Sequence, residues 1–499
     1  MNKISPFHNL HQERQVLQEA VASPRSELII LYGRRGVGKS ALLERTLTEQ
    51  KANYIFFRAT RRTLSLQMEA LTNAAREAFP GAFVPQTFAD VSIFLDFLAH
   101  QAGEEEKRGG PPVVAVIDEL PYLADVDAGL LTVLQHWWDA NKRRPNLKLF
   151  LAGSYVAFME RQVLDSNAPL YNRRTGAMKL EPLDYAEAGL FFPDASPQEK
   201  MEIYAILGGM PSYLEQFDPA LSLEENVKRT ILRRNTYLSE EPDWLLLEDL
   251  RKDTLHGSIL QAVARGERKP SDIARAIGKH SAQDIAPALE TLRDLGLLVR
   301  EVPVTEMGQS RSRNSLYWIA DSYLEFWHRF VDPSRSLIAR GLGARLWEQA
   351  IAPALQKYIS RPTFERACRQ YLWRAFGAGT LPPQLRLTEI GTWWGAGDKK
   401  LDVMGTDAQG AVVLIGSCKW TNAPMDVAEY AALLSDVRAV SADLKLPKDI
   451  PENAESPWLA LFSRSGFTPR LEELAAQQTP QRILLFSLAD LYAAGKGGG

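Results

Sequence analysis

Gly33-Arg34-Arg35-Gly36-Val37-Gly38-Lys39-Ser40 combines residue types and spacing suited to gripping a polyphosphate. Gly33, Gly36 and Gly38 let backbone N–H groups curl around phosphate oxygens, and a helix starting near Ala41 adds partial positive charge. Lys39 is placed to bridge β- and γ-phosphates, and the Ser40 hydroxyl to hold Mg²⁺. The octet fits G-x-x-x-x-G-K-[ST], the P-loop pattern. A second run, Val113-Val114-Ala115-Val116-Ile117-Asp118-Glu119, ends in two acids, a Walker B pattern. Asp118 is expected to hold Mg²⁺ through water, and Glu119 to polarise an attacking water as general base. ATP and Mg²⁺ are therefore the expected ligands.

Those residues need particular elements beneath them. Leu28 to Tyr32 is an apolar run with strand character, and Ala41 to Arg45 is a good helix start, which is the strand–loop–helix setting the motif requires. Val113 to Ile117 reads as a fully buried parallel strand, with its acids at the carboxyl end where open α/β sheets bind ligands. Leu147 to Leu151 is a third strand candidate running into Ser154. In additional-strand P-loop ATPases a strand between the two Walker strands ends in a polar sensor, a role Ser154 fits; a serine in a strand-end turn is the plainer reading. Arg173 and Arg174 could contact phosphate or act as an arginine finger, in cis or across an oligomer, or form a solvated basic turn. Gly208-Gly209-Met210-Pro211 contains a G-x-P element, whose plain reading is a helix C-cap and turn.

Residues 256–320 predict helix, turn, helix, turn, longer helix and hairpin, a winged helix-turn-helix pattern. Ser271 is a candidate cap for the second helix and Ser281 for the third, which Gly296 ends. A DNA reader should place Arg, Lys, Asn or Gln on the third helix. This one carries Asp284, Glu290 and Asp294 against Gln283 and Arg293, with Lys279, His280, Arg311 and Arg313 as partial compensation. DNA binding and a rigid adaptor role both stay open. The aromatic stretch from Tyr317 to Phe330 reads as packing.

The chain has 499 residues, 45% hydrophobic and 24% charged, enough for several globular domains. A net charge of -3 argues against a general polyanion binder, while leaving room for a local basic face. Two cysteines, Cys368 and Cys418, cannot build a disulfide framework, and no secretory segment opens the chain, so the cytoplasm is the expected compartment. Apolar runs are too short for a membrane span, and the histidines lack zinc-ligand spacing.

Walker A, the Asp-Glu Walker B, Asn172-Arg173-Arg174-Thr175-Gly176 and Gly208 to Leu214 occur in the order seen in archaeal-type ATPases. The chain resembles these AAA-like, STAND-related proteins of the ASCE group over roughly residues 1–235. Phe7-His8-Asn9-Leu10-His11-Gln12-Glu13 is similar to the family's opening F-x-N-R-x-x-E, with Leu10 in place of arginine. The resemblance puts Pro211 near adenine or ribose and implies a helical lid. It also implies a C-terminal restriction-endonuclease-like domain of PD-(D/E)XK type, in which an acid on the first helix, a strand Asp and an E-x-K surround a divalent metal. Glu365, Asp402 and Lys419 match three of those positions, and Ser417 stands where the family has glutamate. Metal-bound carboxylates with a lysine suit phosphodiester hydrolysis, but a serine hydroxyl substitutes poorly for a carboxylate at a hard cation. Asp426 or Glu429 could supply a migrated acid, and an Asp402–Lys419 ion pair in an interaction domain is the simpler alternative.

The expected architecture is multidomain α/β: a P-loop ASCE/AAA-like parallel-sheet core at 1–185, a helical lid at 186–254, a winged helix-turn-helix at 255–335 and a restriction-endonuclease-like α/β domain at 345–495. The expected activity is ATP hydrolysis by a regulatory switch with a degenerate nuclease-like domain. Its candidate partners are ATP, DNA, other proteins and further copies of itself. The alternatives are a slow-turnover signalling scaffold that engages proteins, and an ATP-gated metal-dependent nuclease.

Overall fold

The computed structural model describes residues 10–144, 146–250, 254–308, 312, 314–395, 399–446, 456–477 and 482–493. They form two compact units, one reaching Pro182 and including Asp294–Gly296, the other running from Leu183.

In the first unit, β1 (Glu27–Tyr32), β2 (Asn53–Arg58), β3 (Val113–Asp118), β4 (Leu147–Gly153) and β5 (Gly176–Lys179) make one sheet in the order β2-β3-β4-β1-β5. Every pairing is parallel. β3 and β4 are buried along their whole length. β3 accordingly reads as an unbroken apolar run up to Ile117, whereas β4 is interrupted by the buried Lys148, whose ammonium donates to the carbonyls of Ser23 and Arg25. Alternation sends Val113, Ala115 and Ile117 into a core shared with Leu71, Phe94, Leu98 and Leu134 from the connecting helices. β4 lies between β1 and β3, as expected of the additional strand. The parallel register aligns Tyr32 with Gly153 and Arg58 with Asp118, so the loops that follow these strands leave from one edge.

The second unit contains helices Thr254–Ala264, Pro270–Ala276 and Ala286–Asp294, all but the end of the last within it, then an antiparallel hairpin of β6 (Leu298–Glu301) and β7 (Leu316–Ile319). Three helices precede a hairpin in the expected order, but the third, of 9 residues, is shorter than the first, of 11, and the local starts differ. Lys269, not Ser271, precedes the second helix, because Pro270 is preset for the first helical position. Ser281 does form a capping box with Asp284, but it opens a 3₁₀ turn, Ala282–Ile285. The α-helix begins afterwards, at Ala286, with Pro287 in its first turn where a missing N–H costs nothing. Arg311, Arg313 and the opening Phe7-His8-Asn9 lie outside the described residues. Tyr323, Phe326 and Trp327 are fully buried, as a packing role requires.

A second sheet follows the helix Glu365–Gly377. β8 (Glu389–Trp394), β9 (Lys400–Thr406) and β10 (Val412–Lys419) form an antiparallel meander, and β11 (Trp458–Ser463) and β12 (Ile483–Ser487) extend it in parallel. Helices Val427–Leu444 and Pro469–Gln477 make the crossovers. No described helix is long and apolar enough to cross a membrane.

Candidate nucleotide site and a second charged site

Gly33, Gly36 and Gly38 have φ of 147°, 84° and 100°, conformations that side chains disfavour. At Gly33 a Cβ would also sit 2.3 Å from the Leu180 carbonyl oxygen. The loop therefore hands the chain into helix Lys39–Glu49, whose first turn holds Ser40 and Ala41. Lys39 is 5% exposed, and its Nζ donates to the carbonyls of Gly33 at 2.7 Å and Arg34 at 3.0 Å. Burial pulls this ammonium below its usual pKa, opposed by the charges of Glu119 and Asp118. Two of its three donors are spent on the loop, and one remains.

Asp118 ends β3 fully buried. Its Oδ2 accepts from Ser40 Oγ at 2.7 Å and from Arg58 Nε at 3.0 Å, and its Oδ1 from the Glu119 N–H at 3.0 Å. The convergence of a hydroxyl and a carboxylate suits a hard cation, so the donor set fits Mg²⁺. Arg58, at the end of β2 in register with Asp118, is a contact that sequence reasoning misses. A basic residue closing the strand beside Walker B is the signal that could reveal it.

Glu119 has a φ of 57°, a left-handed conformation that costs a non-glycine residue roughly 1–3 kcal/mol. That bend turns its carboxylate toward the end of β4, where Oε2 accepts from the Ser154 N–H at 3.1 Å and from Ser154 Oγ at 2.7 Å. Oε1 makes no hydrogen bond among the described residues.

The two arginines have separate surroundings. Arg173 donates to Asp139 Oδ2 from Nε at 3.0 Å and Nη2 at 2.8 Å, and holds that carboxyl below its usual pKa. Arg174 lies 4.6 Å over the Tyr171 ring and donates to the Tyr171 carbonyl at 2.9 Å. Pro211 belongs to the second unit, where it opens the short helix Pro211–Leu214.

In the second unit Glu365 and Asp402 come together, and Lys400 joins them. Lys400 Nζ lies 2.6 and 2.8 Å from the two Glu365 oxygens and 3.0 Å from Asp402 Oδ1. Asp402 Oδ2 accepts from the Cys418 N–H at 3.1 Å. Burial, then the Asp402 charge, raise the Glu365 pKa; burial would raise Asp402 too, but Lys400 and the Cys418 N–H hold it below its usual range. The Cys418 thiol meets Cys368 on helix Glu365–Gly377. Strand alternation puts Ser417 and Lys419 on the other side of β10. Lys419 makes no side-chain hydrogen bond or ion pair among the described residues, so it is not brought to the two acids. Sequence reasoning does not single out Lys400, although its two-residue spacing from Asp402 gives them a common strand face. Among the described residues no cluster of three or more His, Cys, Asp or Glu side chains could hold a metal. Asp426 is instead the cap of helix Val427–Leu444 in a box with Glu429.

Residues 7–217 match a family described as an ATPase domain predominantly from Archaea, and residues 327–432 match one described as archaeal and bacterial proteins of unknown function. The uncharacterized protein MJECL04 of Methanocaldococcus jannaschii is 27% identical over 416 residues, 83% of this chain and 87% of that one. Among solved structures, the Walker-type ATPase PABY2304 of Pyrococcus abyssi is similar at 21% identity and a TM-score of 0.48, covering 65% of this chain and 96% of its own. The Aeropyrum pernix ORC2 protein, solved as ADPNP–ADP complexes, is similar at 12% identity and a TM-score of 0.42, covering 68% and 97%.

Proposed function

We propose that this chain binds ATP with Mg²⁺ at Gly33–Ser40 and hydrolyses it, as a regulatory switch. The observation that carries this is the linked set Ser40–Asp118 at 2.7 Å and Ser154–Glu119 at 2.7 Å, beside a loop whose three glycines are bent as a phosphate cradle needs. Ser40 and Asp118 would hold the cation, which when bound screens phosphate charge. Lys39 would turn its remaining donor to phosphate oxygens. Glu119 would orient water through Oε1 while Ser154 fixes Oε2. Arg174 is the freer of the two arginines to answer phosphate charge, since Arg173 is already paired with Asp139 while Arg174 is held by the Tyr171 ring and carbonyl. Pro211 stays our candidate for the adenine side.

The helices and hairpin from Thr254 to Ile319 are read as a winged helix-turn-helix, and the C-terminal sheet as a degenerate restriction-endonuclease-like domain. Nucleotide state would be passed to both, with DNA as a candidate partner and the cytoplasm as the compartment. Steady-state ATP hydrolysis with and without duplex DNA, beside Lys39→Ala, tests this. Loss of turnover in Lys39→Ala, and stimulation by DNA, are expected. Turnover unchanged by Lys39→Ala would reject the site.

A slow-turnover scaffold that engages proteins, or further copies of itself, is favoured by one observation: Arg58 and Ser154 already engage the two Walker B acids. ATP binding without measurable turnover would select that reading. An ATP-gated nuclease, with metal on Glu365 and Asp402, requires Lys400 to leave both acids. Metal-dependent cleavage abolished by Asp402→Ala would establish it, and no cleavage in any nucleotide state would remove it.

A further inference from the structure

Within the second unit, a cavity of about 280 Å³ lies where the β6–β7 hairpin meets helix Glu365–Gly377 and the edge of the mixed sheet. Arg361, Arg366, Arg369 and Lys400 line it, against Glu301 and Glu365. The carboxylates are unevenly committed. Glu365 gives its short contacts to Lys400 and lies 3.8 Å from Arg361. Glu301 lies 3.8 Å from Arg369. Asp402, behind the lining, shares Lys400. Arg366 is left with no hydrogen bond or ion pair among the described residues.

Two further donors are idle here. Trp318 lines the cavity, is 8% exposed, and its indole Nε1 has no acceptor. Arg268 stacks 3.8 Å over the Trp318 ring and gives Nη2 to Glu325, yet its buried Nη1 has no partner. Buried donors and an uncompensated guanidinium each cost free energy unless an acceptor and a negative charge meet them.

We propose that this cavity is a second ligand site, distinct from the Gly33–Ser40 loop, which takes a small phosphate monoester or free phosphate. Arginine-rich walls favour phosphate over other anions because the planar guanidinium matches two phosphate oxygens at once. The volume sits at the small end of ligand pockets, about 300–1,000 Å³, which suits a monophosphate and is far too small for a duplex. The ligand would accept from Arg366 and Trp318 Nε1. Seated between the hairpin and the sheet edge, it would brace one against the other.

Calorimetric titration of full-length Lys39→Ala protein, in which the P-loop is disabled, with AMP and separately with inorganic phosphate tests this. Saturable binding of at least one is expected. AMP binding tenfold or more tighter than phosphate identifies a nucleotide ligand, and equal affinity identifies free phosphate. In the same background Arg366→Gln should weaken binding at least tenfold and Arg366→Lys much less. Trp318→Phe, which keeps the ring and deletes only the N–H, should weaken it several-fold and supplies a readout should Arg366→Gln fail to fold. No saturable binding of either probe, or undiminished binding in both Arg366→Gln and Trp318→Phe, overturns the proposal.

Discussion

Two places in this molecule set a lysine near a pair of acids, and they treat the pair in opposite ways. At the nucleotide site Lys39 spends its bonds on the carbonyls of Gly33 and Arg34, while Asp118 takes Ser40 and Arg58, and Glu119 takes Ser154. Lys39 makes no bond to either acid, although Arg58 pairs directly with Asp118, and the lysine keeps a donor to spare. In the C-terminal sheet Lys400 lies directly between Glu365 and Asp402, and the charges meet one another. A lysine kept from its acids by backbone carbonyls can be turned on a substrate. Charges collapsed into a bridge serve the fold.

The contrast can be broken from either side. Its largest expected effect is Glu119→Gln, which should keep ATP binding and lower turnover by roughly 10²–10⁴, the range for loss of a general base. Equal kcat in variant and wild type would reject the assignment. Next is Lys400→Ala, which strands two acids in a mostly buried site and should destabilise by about 3–5 kcal/mol in denaturant melts, where an exposed lysine would give almost nothing. A change below about 1 kcal/mol would mean that water already screens the bridge. Ser154→Ala should lower kcat about tenfold while leaving nucleotide affinity intact, because the Ser154 N–H still holds Oε2. A matching loss of affinity would place Ser154 in binding instead.

The smallest effect is one of pH. Glu365 has a raised pKa in the folded protein, so its contribution to stability is full below the ordinary carboxylate range and is lost as pH rises through the raised value. Asp402 works in the opposite sense, contributing above the ordinary range and losing that as pH falls. Comparing wild type with Glu365→Gln between about pH 4 and about pH 7, wild-type stability should therefore decline relative to the variant as pH rises. A flat difference would show that Lys400 alone governs the site.

Much of the candidate nucleotide site is legible in the amino-acid sequence. β1 and β3 announce themselves because a strand buried on both faces has few polar residues to interrupt it, and β4 is as apolar but for Lys148. The glycines at 33, 36 and 38 are equally plain, since their spacing already implies the backbone they need. The insertion of β4 between β1 and β3 follows the expected order. What resists is anything decided by side chains meeting across the fold. Arg58 reaches Asp118 only because two strands lie in register, and Lys400 reaches Glu365 only because a helix packs on the sheet. Lys419 has the right residue type two positions after Ser417, yet its strand face separates it from the acids. The break at Ala286 is harder still, since a capping serine and a helical period both fit a single helix and only Pro287 hints at a restart.

The Lys400 bridge carries one last consequence. A counterion drawn from solution is present in proportion to its concentration, whereas one attached to the same strand is always at hand, at an effective concentration set by the chain. The sheet therefore carries its own counterion. Its fold should be indifferent to chelators and to the cell's supply of divalent ions, an insulation that a carboxylate site dependent on metal cannot have.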